Sequence, residues 1–228
     1  MSFTRITNNV IQIRGSMSNF YLLIDSPHWW LIDSGFVGDL HQLNKTISEL
    51  GVEWCGLRAI LMTHGHLDHA YSLSGIQRLS EAPIVAHIGD KENFLGKYPY
   101  KGLSKVCGGL ELTGRALFGY TPCEPDRYIN DGHIIDCLGG LKAIHTPGHT
   151  KGHLSYLMTE SRLLFSGDLV VNYKWRVTKP FPWLNIDEAA LSQSIKKILD
   201  QNPTGILANH CDEAIPSTQL DRLQRARL

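Results

Sequence analysis

Apolar positions run along the chain in two rhythms. Ile6–Arg14, Asn19–Asp25 and His28–Asp33 are short runs rich in Ile, Val, Tyr and Leu, separated by Gly, Asn, Ser or Pro, and predict an opening antiparallel meander. Between Gly38 and Leu50 the rhythm changes. Leu40, Leu43, Ile47 and Leu50 recur at intervals of three and four, which predicts a helix stopped by Gly51. Leu57–Thr63 follows as an apolar strand, Leu67–Glu81 as a second helix halted before Pro83, and Pro83–Ile88 as another strand. β-patterning resumes at Tyr128–Ile129, His133–Cys137, Leu141–His145, Leu154–Met158, Leu163–Phe165 and Gly205–Ala208. Helices are expected over Ile186–Leu199, opened by the Asn185/Glu188 pair, and over Ser217–Leu228. Two stretches keep neither period. Residues 90–125 read as a cap-like insertion with one or two short helices, and Asn172–Trp183 as a basic, aromatic loop. The sum is α/β in the mixed, α+β sense, without a regular βαβ alternation.

Composition narrows the function. Apolar residues make up 43% of the 228, enough for a large core, so disorder is excluded. The 22 Lys+Arg balance 22 Asp+Glu, which argues against nucleic acid or an anionic membrane as partner. No run approaches the roughly 18 apolar residues of a membrane span. The N-terminus shows no secretory pattern. Cys55, Cys107, Cys123, Cys137 and Cys211 are odd in number, widely spaced and without a CxxC, so a reducing, cytoplasmic location is expected. The feature left to explain is a set of 11 histidines.

They are not scattered evenly. Thr63-His64-Gly65-His66-Leu67-Asp68-His69 lies where a strand ends and a helix begins, so imidazoles at i and i+2 and the first-turn Asp68 and His69 can face one mouth. Imidazoles with one carboxylate suit zinc, iron or manganese better than calcium or magnesium. The plainer reading, a polar loop with solvated histidines, competes with this until the other strand ends are counted. His149 in HTPGHT, Asp168 in FSGD and His210 in ANHC each follow a predicted strand, where loops gather to make sites.

THGHLDH, HTPGHT, SGD and NH, in that order, resemble the metallo-β-lactamase superfamily of metal-dependent hydrolases, from LIDSG at 31–35 to His210. The resemblance implies a four-layer αββα sandwich in a single domain over residues 1–228. It implies that His64, His66 and His149 hold one metal ion, that Asp68, His69 and His210 hold a second, and that Asp168 bridges them. Two divalent ions follow, Zn2+ first, with Fe or Mn open. A metal-bridging hydroxide would then cleave an ester, thioester or lactone bond of a small molecule. Asp68 sits where a carboxylate can also act catalytically, orienting the nucleophile or protonating a leaving group. The alternatives are a mono-iron oxidoreductase similar to the sulfur dioxygenases of the same superfamily, a phosphodiesterase, and a metal-binding module without catalysis.

The remaining candidates read more plainly. Asp33 in LIDSG is expected to support a metal-bound histidine. His145 and His153 are expected to be core or supporting groups, Cys211 an inert packed thiol, and His28, His41, His87 and His133 background. The 172–183 loop fits a nucleic-acid stacking surface, a substrate wall or plain packing. It follows Asp168 directly in a neutral chain, which favours the wall, with Tyr173 as a hydrogen-bond donor to substrate. A homodimer stays open.

Overall fold

The opening strands pair in chain order. In the computed structural model, which describes residues 3–97, 99–173, 176–210 and 215–226, β1 (Phe3–Arg5), β2 (Val10–Arg14), β3 (Asn19–Asp25) and β4 (His28–Ile32) form the expected antiparallel meander. β5 (Leu57–Leu61), β6 (Ile84–Ala86) and β7 (Arg127–Tyr128) extend it in parallel to seven strands. β8 (Ile134–Ile135), β9 (Leu141–His145), β10 (Leu154–Met158) and β11 (Leu163–Gly167) make a second, antiparallel sheet. β12 (Val171–Tyr173) and β13 (Arg176–Thr178) form a separate hairpin, and β14 (Gly205–Ala208) returns to lie parallel to β11.

Helices close both outer faces. α1 (Asp39–Leu50), the short α2 (Leu67–Ala70) and α3 (Leu73–Ser80) pack on the first sheet through Leu43, Ile47, Ala70, Leu73 and Ile76. α4 (Lys91–Phe94) and α5 (Lys105–Phe118) lie between β6 and β7. α6 (Glu188–Leu199) and α7 (Pro216–Arg225) cover the second sheet through Leu191, Ile195, Ile198, Leu220 and Leu223. Within β3, Tyr21 and Leu23 face the second sheet while Phe20 and Leu22 face the helices. A sheet buried on both faces reads as a continuous apolar run, which is why these strands show no polar alternation. The result is the expected αββα sandwich.

Parallel pairing sets the position of the site. Ile32 lies opposite Leu61, and Gly167 opposite Ala208. Asp33, Thr63–His64, Asp168 and Asn209–His210 therefore leave their strands at carboxyl ends, where crevices form in such sheets.

The structure departs from the sequence expectation in four places. The helix expected over Leu67–Glu81 breaks after Ala70, because the His69 carbonyl accepts from Ser34 N–H at 2.9 Å and Ser34 Oγ–H at 2.6 Å instead of continuing the helix. The 90–125 segment contains α5, a helix of 14 residues rather than short pieces. The 172–183 loop contains the β12–β13 hairpin. α6 starts at Glu188, capped by Asp187, whose carboxylate accepts from Ala190 N–H, so Asn185 lies outside the helix. Among the described residues no helix is long and apolar enough to cross a membrane.

Candidate metal centre

Each of five histidines has one ring nitrogen occupied on its outer side. His64 Nδ1–H donates to Thr63 Oγ1 at 3.0 Å, and Thr63 Oγ1–H passes on to Asp33 Oδ2 at 2.7 Å. His69 Nδ1–H donates to Asp33 Oδ2 at 3.0 Å, His149 Nδ1–H to Asn185 Oδ1 at 2.9 Å, and His210 Nδ1–H to the Met17 carbonyl at 3.1 Å. His66 Nε2 lies 3.9 Å from Cys107 Sγ. An outer hydrogen bond selects the tautomer. It leaves His64 Nε2, His66 Nδ1, His69 Nε2, His149 Nε2 and His210 Nε2 facing one another.

The carboxylates complete the ring. Asp168 Oδ2 is 3.5 Å from His149 Nε2, 3.9 Å from His64 Nε2 and 3.0 Å from His210 Nε2, while Oδ1 is 3.4 Å from His69 Nε2. Asp68 Oδ2 is 3.3 Å from His210 Nε2 and 3.6 Å from His69 Nε2. Three overlapping groups, His64/His66/His149, His64/His69/Asp168 and Asp68/His69/His210, each hold their donor atoms within 4.8 Å of one another and could hold a metal ion. His64 Nε2 and Asp168 Oδ1 are buried and make no hydrogen bond. Buried polar atoms are rarely left so, and a cation is the partner that this donor set suits.

Electrostatics divides the histidines. Burial holds His64 well below the ordinary value and brings His66 and His149 down to about 4, so their lone pairs are free at neutral pH. For His69 and His210 burial pulls the same way but is overcome. Asp168, Asp68 and Asp33 carry His69 well above the ordinary value, and Asp168 with Asp68 pushes His210 up to about 10. Burial would raise Asp168, yet His210 and His69 hold it well below the usual carboxylate range. The same carboxylates would favour a divalent cation at this point.

The architecture and this donor set meet in one family. The family model of the metallo-beta-lactamase superfamily matches residues 13–207. The chain belongs to the metallo-beta-lactamase superfamily. The probable metallo-hydrolase YqgX of Bacillus subtilis is 31% identical over 153 residues, covering 67% of this chain and 66% of the relative. Hydroxyacylglutathione hydrolase GloC of Haemophilus influenzae is 30% identical over 148 residues, covering 64% and 63%. The chain thus spans about two thirds of the length of these two relatives. The class B3 di-zinc metallo-beta-lactamase LRA-12, from an Alaskan soil metagenome, superposes with a TM-score of 0.71 over 97% of this chain and 88% of that one, at 20% identity, a likeness of fold. Membership makes the chain a metallo-hydrolase by family.

Several groups around this superfamily site carry no motif of their own. Buried Asp90 accepts from Gly65 N–H at 3.1 Å, Thr150 Oγ1–H at 2.6 Å and Gly152 N–H at 2.6 Å, tying the His64–His66 loop to the His149 turn. α5 grips the same loop. Glu111 accepts from Leu67 N–H at 3.0 Å, and Arg115 donates to the Gly65 carbonyl at 2.8 Å and to Glu111 at 2.7 Å. Cys107, Glu111 and Arg115 recur at intervals of four, one helix face, a signal that could have been found within a helix correctly placed. Asn185, read from sequence as a helix opener, instead holds His149.

Asp33 is fully buried and takes the expected supporting place. His153 supports Asp168 by accepting its backbone N–H at Nε2, 3.0 Å away. His145 touches none of the seven side chains; its Nε2–H donates to the Lys151 carbonyl and its ring stacks on His87. Cys211 lies outside the described residues. Two cavities open at the centre. A larger one of about 450 Å³ reaches His66, Asp68 and His149, and a smaller one of about 220 Å³ is lined by Tyr173; both reach Asp168 and His210.

Proposed function

We propose that the protein is a binuclear metal-dependent hydrolase that cleaves an ester, thioester or lactone bond of a small molecule. His64, His66 and His149 would hold one divalent ion, Asp68, His69 and His210 the other, with Asp168 shared. The observation that carries the reading is the set of five histidines, each fixed from behind and turned with two carboxylates toward one point beside an open cavity. The hydroxyacylglutathione hydrolase named among the relatives supports hydrolysis of a thioester. When bound, such ions would supply Lewis acidity and bring the pKa of bound water down to about 7.

The chain's own groups do the rest. Asp68 is the least enclosed carboxylate of the set and stands at the cavity floor, so its Oδ2 is placed to receive the proton of an attacking water and return it to the leaving group. Asp168, with its backbone held by His153, keeps the two halves of the donor set at a fixed separation. Tyr173 borders the smaller cavity and is assigned a hydrogen bond to the substrate. The mixed histidine and carboxylate donors favour zinc among the divalent ions, with iron and manganese next. The free thiols Cys55, Cys107, Cys123 and Cys137 suit a reducing cytoplasm.

The test is metal analysis of the purified protein joined to a panel of thioesters, lactones and phosphoesters. Two equivalents of zinc with turnover of a carbon ester, lost in Asp68→Ala, is the expected result. One iron per chain with oxygen consumption overturns the hydrolase reading, and preference for phosphodiesters overturns the bond class.

A further inference from the structure

We infer that the substrate presents an apolar, uncharged group to the larger cavity, next to the bond that is cut; this rests on the hydrolase reading above. The cavity floor is His66, Asp68, Asp168 and His210, and its walls are Phe36, Leu67, Leu110, Phe118, Trp183 and Leu184. None of the described residues lining it is Lys or Arg. Its one further charge, Glu111, is engaged by Leu67 N–H and Arg115. A carboxylate or phosphate held against these side walls, away from the floor, would give up hydration and meet no Lys or Arg among the described residues, which is strongly unfavourable. The nearby cations, Arg176 and Lys179, line the smaller cavity instead, and Lys179 Nζ already donates to Ser192 Oγ.

The walls are also built to stay in place. Phe36 meets Phe118 edge-on at 5.1 Å and Tyr71 at 5.4 Å, and Phe181 stacks on Trp183 at 6.1 Å. Met17, Leu110, Phe118 and Phe181 leave between 42% and 60% of their surface open at the rim. Single exposed apolar residues are ordinary, but a contiguous group around the mouth of a functional cavity marks a binding surface. An acyl or aryl group entering this cavity covers them. Glutathione, with its free carboxylates, does not suit these walls, so a neutral thioester is expected to be preferred over the hydroxyacylglutathione in the relative's name.

The test has two arms on the metal-loaded protein. In the first, kcat/KM is measured for neutral esters and thioesters whose acyl chains lengthen stepwise, with a hydroxyacylglutathione for comparison. In the second, binding of linear methyl ketones of the same lengths, which the enzyme cannot hydrolyse, is followed by calorimetry. Burial of each methylene should raise both quantities by about two- to fourfold until the cavity is full. Leu110→Ser and Phe118→Ser, checked for folding by urea midpoint, should flatten both series. Flat series in the wild-type protein, or preference for the glutathione thioester, overturn the inference while leaving the hydrolase reading intact. Rising ketone affinity without turnover of any ester upholds the apolar recognition by this cavity and sinks the hydrolase reading, and with it the placement beside a bond that is cut. Unchanged slopes in the variants together with loss of a dimer would assign the surface to a second copy of the chain and overturn the inference.

Discussion

Asp33→Asn isolates the contribution of one buried carboxylate. Asp33 is inaccessible to solvent and accepts four hydrogen bonds: Thr63 N–H at 2.7 Å on Oδ1, and Thr63 Oγ1–H at 2.7 Å, His69 Nδ1–H at 3.0 Å and Asn209 Nδ2–H at 2.6 Å on Oδ2. Its φ of 61° lies in the left-handed region, which Asn tolerates well, so the backbone is not the variable. If Asn keeps its oxygen toward Thr63 N–H, its amide group faces three donors. The Thr63 hydroxyl can rotate, while His69 and Asn209 lose their acceptor. Two lost hydrogen bonds to a charged group, at about 1.5–3 kcal/mol each, set the gross cost, and release of a buried charge offsets part of it. A net loss of about 2–4 kcal/mol is expected from urea unfolding. The more specific consequence is at His69. Without an acceptor on Nδ1 its proton moves to Nε2, the nitrogen that faces the centre. Metal affinity at the Asp68/His69/His210 group should fall about 10–100-fold, the range known for loss of such support. Titration against a chromophoric chelator measures it. A folded variant with both metal affinities within about threefold of wild type would refute the claim that Asp33 sets the His69 tautomer.

Other perturbations have equally definite outcomes. Glu111→Gln leaves Arg115 buried without its anion and should cost about 3–5 kcal/mol in urea unfolding, whereas Glu111→Met combined with Arg115→Met should recover most of that. Gly167→Ala places a Cβ against His153 Nε2 at a φ of 57°, so the His153 contact to Asp168 must break; metal binding should weaken together with stability, measured on the same sample. Loading chelator-stripped protein with zinc near pH 7.5 should release protons, because His69 and His210 hold them with raised pKa values in the absence of metal. The sign follows from the shift: release should shrink as pH rises through about 10, where His210 has already lost its proton, and calorimetry in buffers of different ionisation enthalpy reads it.

The histidines and carboxylates of the centre were legible because each sits in a short segment at the end of an apolar strand. A strand of β-branched and aromatic residues announces its own end, and ligand-type residues placed there need no knowledge of the partner strand. α5 was not legible. It exposes Val106, Leu110 and Leu117, its buried residues include Arg115 and Cys107, and Gly108, Gly109 and Gly114 interrupt it. Much of its apolar surface is exposed while a charged residue is buried, so periodicity suggests only one or two short helices there and not a helix of 14 residues. The hydrogen bonds of Asp90 and Asn185 join loops up to 62 residues apart, a juxtaposition made by topology and invisible to local pattern. The 67–81 helix was overextended for a related reason, since Ser34 competes for the His69 carbonyl from another strand end.

The pairing of Asn19 with Asn209, through Asn19 N–H to the Asn209 carbonyl at 2.6 Å and Asn209 Nδ2–H back to the Asn19 carbonyl at 3.0 Å, joins residues 190 positions apart. Tyr21 Oη–H to the Ala208 carbonyl and His210 Nδ1–H to the Met17 carbonyl lie on either side of it. The donor atoms of the centre are thus divided between an early segment and a late one, and neither half of the chain owns a complete set. Metal affinity is consequently a property of the finished sandwich and works as a clasp on it. A free ion at about 1,000 times its dissociation constant adds about 4.1 kcal/mol to the stability of the whole fold, including helices that never approach the ion. Loss of metal should therefore lower resistance to unfolding at the far edges of both sheets as much as at the centre itself.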